Sequence, residues 1–178
     1  MTRYAFLDRD GTLVRDPGYV HRVEDYALLP GVALGLRQLQ EAGFRLAIVT
    51  NQSGIGRGLF SEDDFARFQA HLVSDLAAQG VEIDATFHCP HGPDEGCPCR
   101  KPAPGLLEQA ERQLGADLPS SWMIGDGERD ARAALAAGLA GAVWLGGPAP
   151  APGDSHRAAP DFAGAARLIL KRPSPSRR

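Results

Sequence analysis

The sequence predicts an α/β fold in which one parallel sheet is covered by helices on both faces. Three observations predict it. Short apolar runs alternate along the chain with stretches whose apolar residues follow a helical spacing. Acidic and polar residues follow the runs directly, and the ends of parallel strands share one edge of a sheet, so residues far apart in sequence should converge there. No linker, internal repeat or insertion large enough for a cap divides the chain. The expectation is a Rossmann-like three-layer fold, a single domain over 1–170 without a large cap, and a basic, Pro/Ser-rich, disordered tail over 171–178.

The elements follow in order. An apolar run at Tyr4–Leu7 reads as a buried first strand and stops on Asp8 and Asp10. The polar loop after Val14 should border those acids. Val32, Leu36 and Leu39 mark one face of a helix that ends before Gly43. Phe44 to Val49 reads as a second strand, leading to Thr50 and Asn51 and then to a glycine-rich, flexible loop from Gln52 to Gly58. Ser61 followed by Glu62, Asp63 and Asp64 has the form of an N-cap with an acidic first turn, opening a long helix with a stripe of Phe65, Phe68, Leu72 and Leu76. Ile83 to His88 is the third strand, and a Cys/Pro/Gly-rich loop follows it. Leu106, Leu107, Ala110 and Leu114 mark a helix closed by Gly115. Ser121 to Ile124, Arg129 to Ala137 and Ala142 to Leu145 read as strand, helix and strand. Gly146 to Ala159 reads as a loop containing His156, and Asp161 to Leu170 as the last helix.

The chain has 178 residues, 43% apolar and 23% charged, which fits a soluble enzyme with one ordinary core. A net charge of −3 excludes a global basic field of the kind that nucleic-acid binding uses. No apolar run approaches a membrane span. Met1 leads almost at once into the first strand, leaving no room for a signal peptide, so a cytoplasmic protein is expected. The three cysteines, Cys89, Cys97 and Cys99, fall in one short segment, an odd and clustered set that indicates metal rather than disulfides. With His91 they supply three thiolates and an imidazole, a closed structural zinc set. His88 breaks the alternation and is not expected to be a ligand; His71 and His156 have no partner motif.

Asp8 and Asp10 are two apart and should lie on one side of an extended chain, with Gly11 allowing the sharp turn after them. Arg9, between them, should point to the opposite side and is given no catalytic role. Asp8-Arg9-Asp10-Gly11-Thr12 after an apolar strand resembles the first motif of the haloacid dehalogenase superfamily. The resemblance covers about Tyr4 to Leu145 and implies a phosphatase of the capless kind. It makes Asp8 the nucleophile that forms an aspartyl-phosphate and Asp10 the general acid/base. Thr50 matches the second motif, as a donor to a phosphate oxygen, and Lys101 the third, as a neutralising cation. Gly125-Asp126 with Asp130 matches the fourth. By that resemblance Asp126, the Asp8 carboxylate and the Asp10 carbonyl hold Mg²⁺, and Asp130 supports Lys101 or a metal-bound water.

Within the superfamily, two zinc-loop, capless groups share these features: the heptose-bisphosphate phosphatases and the histidinol-phosphate phosphatases. The chain is similar to the first in Gly18-Tyr19-Val20-His21, in Thr50-Asn51-Gln52-Ser53-Gly54-Ile55 and in Cys99-Arg100-Lys101-Pro102 with Pro104-Gly105. That resemblance implies substrate contacts from Asp16, Tyr19, Asn51, Gln52, Ser53 and Arg100. It implies removal of the 7-phosphate of a heptose 1,7-bisphosphate on the way to nucleotide-activated heptose, a lipopolysaccharide or capsule precursor. One departure is Gly127, where heptose enzymes carry Lys after the fourth-motif Asp. A monomer acting on a small sugar phosphate, with no nucleic-acid or membrane partner, is expected. Histidinol phosphate as substrate, or a zinc-stabilised binding module without catalysis, are the alternatives the sequence leaves.

Overall fold

β1 (Tyr4–Leu7) runs through the middle of the protein and shows how the layers arise. Its four side chains are all buried, Ala5 and Leu7 on one face of the sheet and Tyr4 and Phe6 on the other. A strand buried on both faces must be apolar at consecutive positions, as this one is. β2 (Arg45–Asn51) and β4 (Trp122–Gly125) flank β1 in parallel and follow the same rule, with Leu46, Ile48, Trp122 and Ile124 on the first face and Ala47, Val49 and Met123 on the second. β3 (Ala85–Cys89), β5 (Gly141–Leu145) and β6 (His156–Ala159) complete an all-parallel sheet in the order β3-β2-β1-β4-β5-β6. The computed structural model describes residues 2–148 and 156–171. Residues 172–178 of the expected tail and 149–155 of the expected late loop lie outside them.

The first face is covered by α1 (Val32–Glu41), α3 (Glu62–Ala78) and α6 (Phe162–Leu170), through Val32, Leu36, Leu39, Phe68, Leu72, Leu76, Phe162 and Ile169. The second is covered by α4 (Gly105–Leu114) and α5 (Glu128–Ala136), through Leu106, Leu107, Ala110, Ala133 and Ala134. The expected three layers are present. The helix signals also operate as read: the Ser61 hydroxyl accepts from the Asp64 N–H at 3.1 Å while the Asp64 carboxylate accepts from the Ser61 N–H at 2.8 Å.

Three differences from the sequence reading are informative. His156–Ala159, expected in a loop, forms the edge strand β6, because its register is set by backbone pairing with Ala142 to Leu145 and not by an apolar pattern. The supposedly flexible Gln52–Gly58 loop contains a helical turn, α2 (Ser53–Gly56), fixed by the Gly56 N–H bonding the Pro90 carbonyl at 2.8 Å and by Gly54 lying against Phe60. β2 runs two residues past Val49, so Thr50 and Asn51 pair with His88 and Cys89. Two residues expected after a strand are thereby held rigidly inside one.

The chain leaves β1 for β2 and β3 on one side, then crosses back to build β4, β5 and β6 on the other. The carboxyl ends of β1 and β4 therefore form the topological switch point, where open parallel sheets leave a crevice. Asp8 follows one strand and Asp126 the other.

Candidate active site

The crevice is an open cleft of about 220 Å³ lined by Asp8, Asp10, Asp16, Gly18, Tyr19, Asn51, Gln52, Ser53, Gly54, Arg100 and Arg129. Residues from five separate stretches of sequence meet there, as the sheet-edge argument requires.

At its floor Asp8 is buried and fixed by its N–H, which donates to the Ile124 carbonyl at 2.9 Å. Lys101, only 2% exposed, reaches Asp8 Oδ1 at 2.8 Å, Asp130 Oδ1 at 2.6 Å and the Val49 carbonyl at 2.7 Å. Lys101 thus donates to Asp8 and to the Val49 carbonyl and forms an ion pair with Asp130. Burial pulls the Lys101 pKa down, but the carboxylates of Asp130 and Asp8 outweigh it and hold the pKa above its ordinary value. The Lys101 main chain is positioned by Asn51, whose amide donates to the Lys101 carbonyl and accepts from the Lys101 N–H, both at 3.0 Å.

Asp130 approaches Lys101 because Gly125 has no side chain; a Cβ there would collide with the Asp130 carboxyl. Gly11 plays the same part for Asp126. Its φ is +78°, and a Cβ would strike the Asp126 carboxylate. Asp8, Asp126 and Asp130 can each bring a carboxylate oxygen within 4.8 Å of the others. Crowding shows in Asp126, pushed up to about 7 by burial first and then by the charge of Asp8. Three clustered carboxylates are met by one buried ammonium and, at the rim, by the Arg129 guanidinium, which leaves negative charge over, and oxygens are the donors a hard divalent cation takes. The grouped carboxylates of Asp8, Asp126 and Asp130 therefore fit a hard divalent cation such as Mg²⁺, with Asp126 the one that Lys101 does not touch.

Arg9 does not point away from the acids. It is fully buried, its Nε lies 2.6 Å from Asp10 Oδ1, and its Nη2 donates to Asp10 Oδ2, the Val20 carbonyl and Gln52 Oε1 at 3.1, 2.9 and 3.2 Å. Its guanidinium lies over the rings of Phe68 and Phe65, at 4.6 and 5.4 Å. Strict alternation fails here because the backbone turns just past Asp8: the N–H groups of Thr12, Leu13 and Val14 all bond the Arg9 carbonyl. Gln52 completes the network, donating to Asp10 Oδ2 and to the buried Thr50 hydroxyl, both at 3.0 Å. Burial, followed by the charge of Asp8, raises the Asp10 pKa against the pull of Arg9 and Gln52. An acid with a raised pKa is what a proton donor near neutrality needs.

The cleft walls are loops. Asp16 accepts from the Gly18 N–H at 2.8 Å, which brings Tyr19 to the rim, 43% exposed and at φ 54°. The His21 ring stacks on Phe60 at 4.7 Å, tying this loop to the one after α2. Arg100 donates to the His91 carbonyl at 3.4 Å, linking the wall to the cysteine loop. There Cys89, His91, Cys97 and Cys99 converge, with Cys89 Sγ 3.5 Å from both His91 Nδ1 and Cys97 Sγ, His91 Nδ1 3.3 Å from Cys99 Sγ, and the Cys99 and Cys97 sulfurs 3.4 Å apart. Such spacings approach the edges of a tetrahedron with arms of about 2.0–2.3 Å, so three sulfurs and a nitrogen fit zinc. His88 turns away to Glu62 at 2.8 Å, and His71 packs edge-on against Tyr26.

One cleft residue escaped the sequence reading. Arg129, on the first turn of α5, places Nη2 3.2 Å from Asp126 Oδ1 and 3.8 Å from Asp8 Oδ2. A cation in the first turn of a helix is unfavourable for the helix dipole, which was the available signal.

A parallel sheet with paired acids at its switch point defines a class. The haloacid dehalogenase-like hydrolase family matches residues 3–138, and the chain belongs to it. Among its relatives, the D-glycero-beta-D-manno-heptose-1,7-bisphosphate 7-phosphatase of Yersinia pestis is 44% identical over 159 residues, 84% of this chain and 85% of that protein. The D-glycero-alpha-D-manno-heptose-1,7-bisphosphate 7-phosphatase of Photorhabdus laumondii is 38% identical over 144 residues, 77% and 79% of the two chains. The structure of D,D-heptose 1,7-bisphosphate phosphatase from B. bronchiseptica, complexed with magnesium and phosphate, superposes with a TM-score of 0.85 at 32% identity, covering 96% of this chain and 99% of that one.

Proposed function

We propose that this enzyme is a Mg²⁺-dependent phosphatase that removes the 7-phosphate of D-glycero-D-manno-heptose 1,7-bisphosphate, in the supply of nucleotide-activated heptose. The observation that carries the chemistry is the Asp8–Lys101–Asp130 chain on the cleft floor, which presents one carboxylate, already oriented, to an incoming phosphate. The substrate assignment is supported by relatives that share most of the chain and by a wall offering Asp16, Tyr19, Asn51, Gln52, Ser53 and Arg100.

The mechanism follows from these positions. An Asp8 oxygen attacks phosphorus, the bond from phosphorus to the sugar oxygen breaks, and Asp10 gives its proton to that oxygen. Asp10 lines the cleft and is oriented there by Arg9 and Gln52. As a carboxylate it then takes a proton from water; the water oxygen attacks phosphorus, and phosphate leaves with Asp8 restored. Lys101 neutralises charge on Asp8 and the transferring group, and Thr50 donates its hydroxyl to a phosphate oxygen. Asp8, Asp126 and the Asp10 carbonyl would hold the metal, whose positive charge would let a carboxylate approach a phosphate dianion.

Arg100 is assigned to the second phosphate, since a guanidinium offers a two-pronged fit to phosphate oxygens. Cys89, His91, Cys97 and Cys99 would hold zinc, which would fix the loop that presents Arg100 and Lys101. The reading includes one domain over 1–170 acting as a cytoplasmic monomer on a small sugar phosphate. Support for the single domain is that the six strands of the described residues pair in one unbroken sheet. No helix among the described residues is long and apolar enough to cross a membrane. The deciding experiment compares kcat/KM for both anomers of the heptose bisphosphate with that for histidinol phosphate. A preference for histidinol phosphate overturns the substrate assignment.

A further inference from the structure

The cations around the cleft differ in how far they are committed. Lys101 is committed to Asp8 and the Val49 carbonyl by hydrogen bonds and to Asp130 by an ion pair. Arg9 is sealed beneath Asp10. Arg129 is different: its side chain is 47% exposed, and its guanidinium bridges the Asp8 and Asp126 carboxylates from the solvent side. Those two side chains are the ones assigned to the metal. The guanidinium lies against Gly127, where a Cβ would stand 3.3 Å from Nη1, so the lack of a side chain at 127 opens the space that Arg129 fills.

We propose that Arg129 is an exchangeable counter-ion: it holds the Asp8–Asp126 pair in the metal-free enzyme, yields that place to the divalent cation, and then binds the reacting phosphate. The proposal rests on the metal-dependent phosphatase reading above. A guanidinium and a divalent cation would compete for the same two carboxylates and repel each other there, so metal binding favours the departure of the guanidinium. Its backbone anchor, on the first turn of α5, keeps it at the rim of the cleft that Asp8 and Arg100 also line. The anion that arrives there is a phosphate, whose oxygens suit the guanidinium fork. The same side chain therefore opposes metal binding and favours phosphate binding.

That opposition gives the test. In zinc-replete, full-length protein, free Mn²⁺ is counted by electron paramagnetic resonance during titration of the metal-free catalytic site. Orthophosphate binding is then measured by calorimetry at saturating Mg²⁺. Arg129→Gln should bind Mn²⁺ about tenfold more tightly, the scale on which one charge acts on a divalent ion across several ångströms of hydrated site. It should bind orthophosphate about tenfold more weakly, as loss of a charge-assisted pair implies. Arg129→Lys should keep Mn²⁺ affinity near wild type while losing part of the phosphate affinity. A purely structural Arg129 would move both affinities in the same direction or neither, and either result overturns the proposal. So does tighter Mn²⁺ binding with unchanged phosphate affinity. Wild-type protein that binds no Mn²⁺ at the carboxylates would overturn the metal-dependent reading itself, an outcome distinct from any change between variants. Arg129 is half-exposed, so both variants should retain the wild-type melting temperature in the metal-loaded state.

Discussion

Replacing Lys101 with Met tests the floor of the cleft most directly. Met matches the length of the Lys stem and removes only the charge. In the native protein the ammonium, 2% exposed, is shared between Asp8, 3% exposed, and Asp130, 2% exposed. Removing it leaves two facing carboxylates in a dry site, and breaking a buried ion pair from one side costs about 3–5 kcal/mol. Protonation sets a ceiling. One acid that takes up a proton at pH 7 from an ordinary pKa near 4 costs about 3 pH units at 1.36 kcal/mol each, or roughly 4 kcal/mol. The two routes agree, so Lys101→Met should lower urea-unfolding stability by about 3–4 kcal/mol at pH 7 without added Mg²⁺. The sign of the pH effect follows: carboxyl pKa values raised in the folded variant make its stability fall as pH rises, so the deficit should shrink between pH 7 and pH 5. Lys101→Met/Asp130→Asn should recover part of the loss, because the second change removes one of the repelling charges. Urea melts followed by far-UV circular dichroism give all three numbers. A loss below about 1 kcal/mol for the single variant, or no recovery in the double, would refute the account of a charge-balanced triad.

Three further outcomes are expected. Cys97→Ser should release zinc, measured by elemental analysis, and lower melting temperature and turnover together, since the same loop carries Arg100 and Lys101; retained zinc with full activity would refute the four-ligand set. Gly125→Ala should push the Asp130 carboxyl off Lys101, costing about 1–3 kcal/mol in urea melts along with most of the activity, and a neutral result would contradict the close approach seen here. At alkaline pH, Tyr4 is pushed up to about 12 by burial and by its bond to Asp84, while an unfolded phenol ionises near 10, so its contribution holds below pH 10 and is lost towards pH 12; Tyr4→Phe should make the fall in stability over that window less steep in pH-dependent melts.

Much of this was legible in the chain because the signals are local. Asp8 and Asp126 each follow a strand that announces itself by its apolar run, Thr50 lies near the end of another and Lys101 shortly before a helix, and parallel pairing brings such ends together whatever the detail. Cys89, His91, Cys97 and Cys99 were legible because their chemistry is unusual in a loop. Arg9 was misjudged for a physical reason: alternation holds only while the chain is extended, and the turn through Leu13 begins one residue too early. β6 was missed because an edge strand is specified by the partner it pairs with and needs little apolar pattern of its own.

The sequence by itself determined the layer order, the two acids at the end of the first strand and the soft-ligand loop, since each depends on residue type and short-range spacing. Only the tertiary structure decided which charges face one another. That Lys101 meets Asp8 and Asp130 together, that Asn51 clamps the Lys101 backbone, that Arg9 pairs with Asp10 and that Arg129 bridges Asp8 and Asp126 all depend on distances around the switch point between β1 and β4. Electrostatic energy falls with separation and burial, and neither is written in the spacing of residues along the chain.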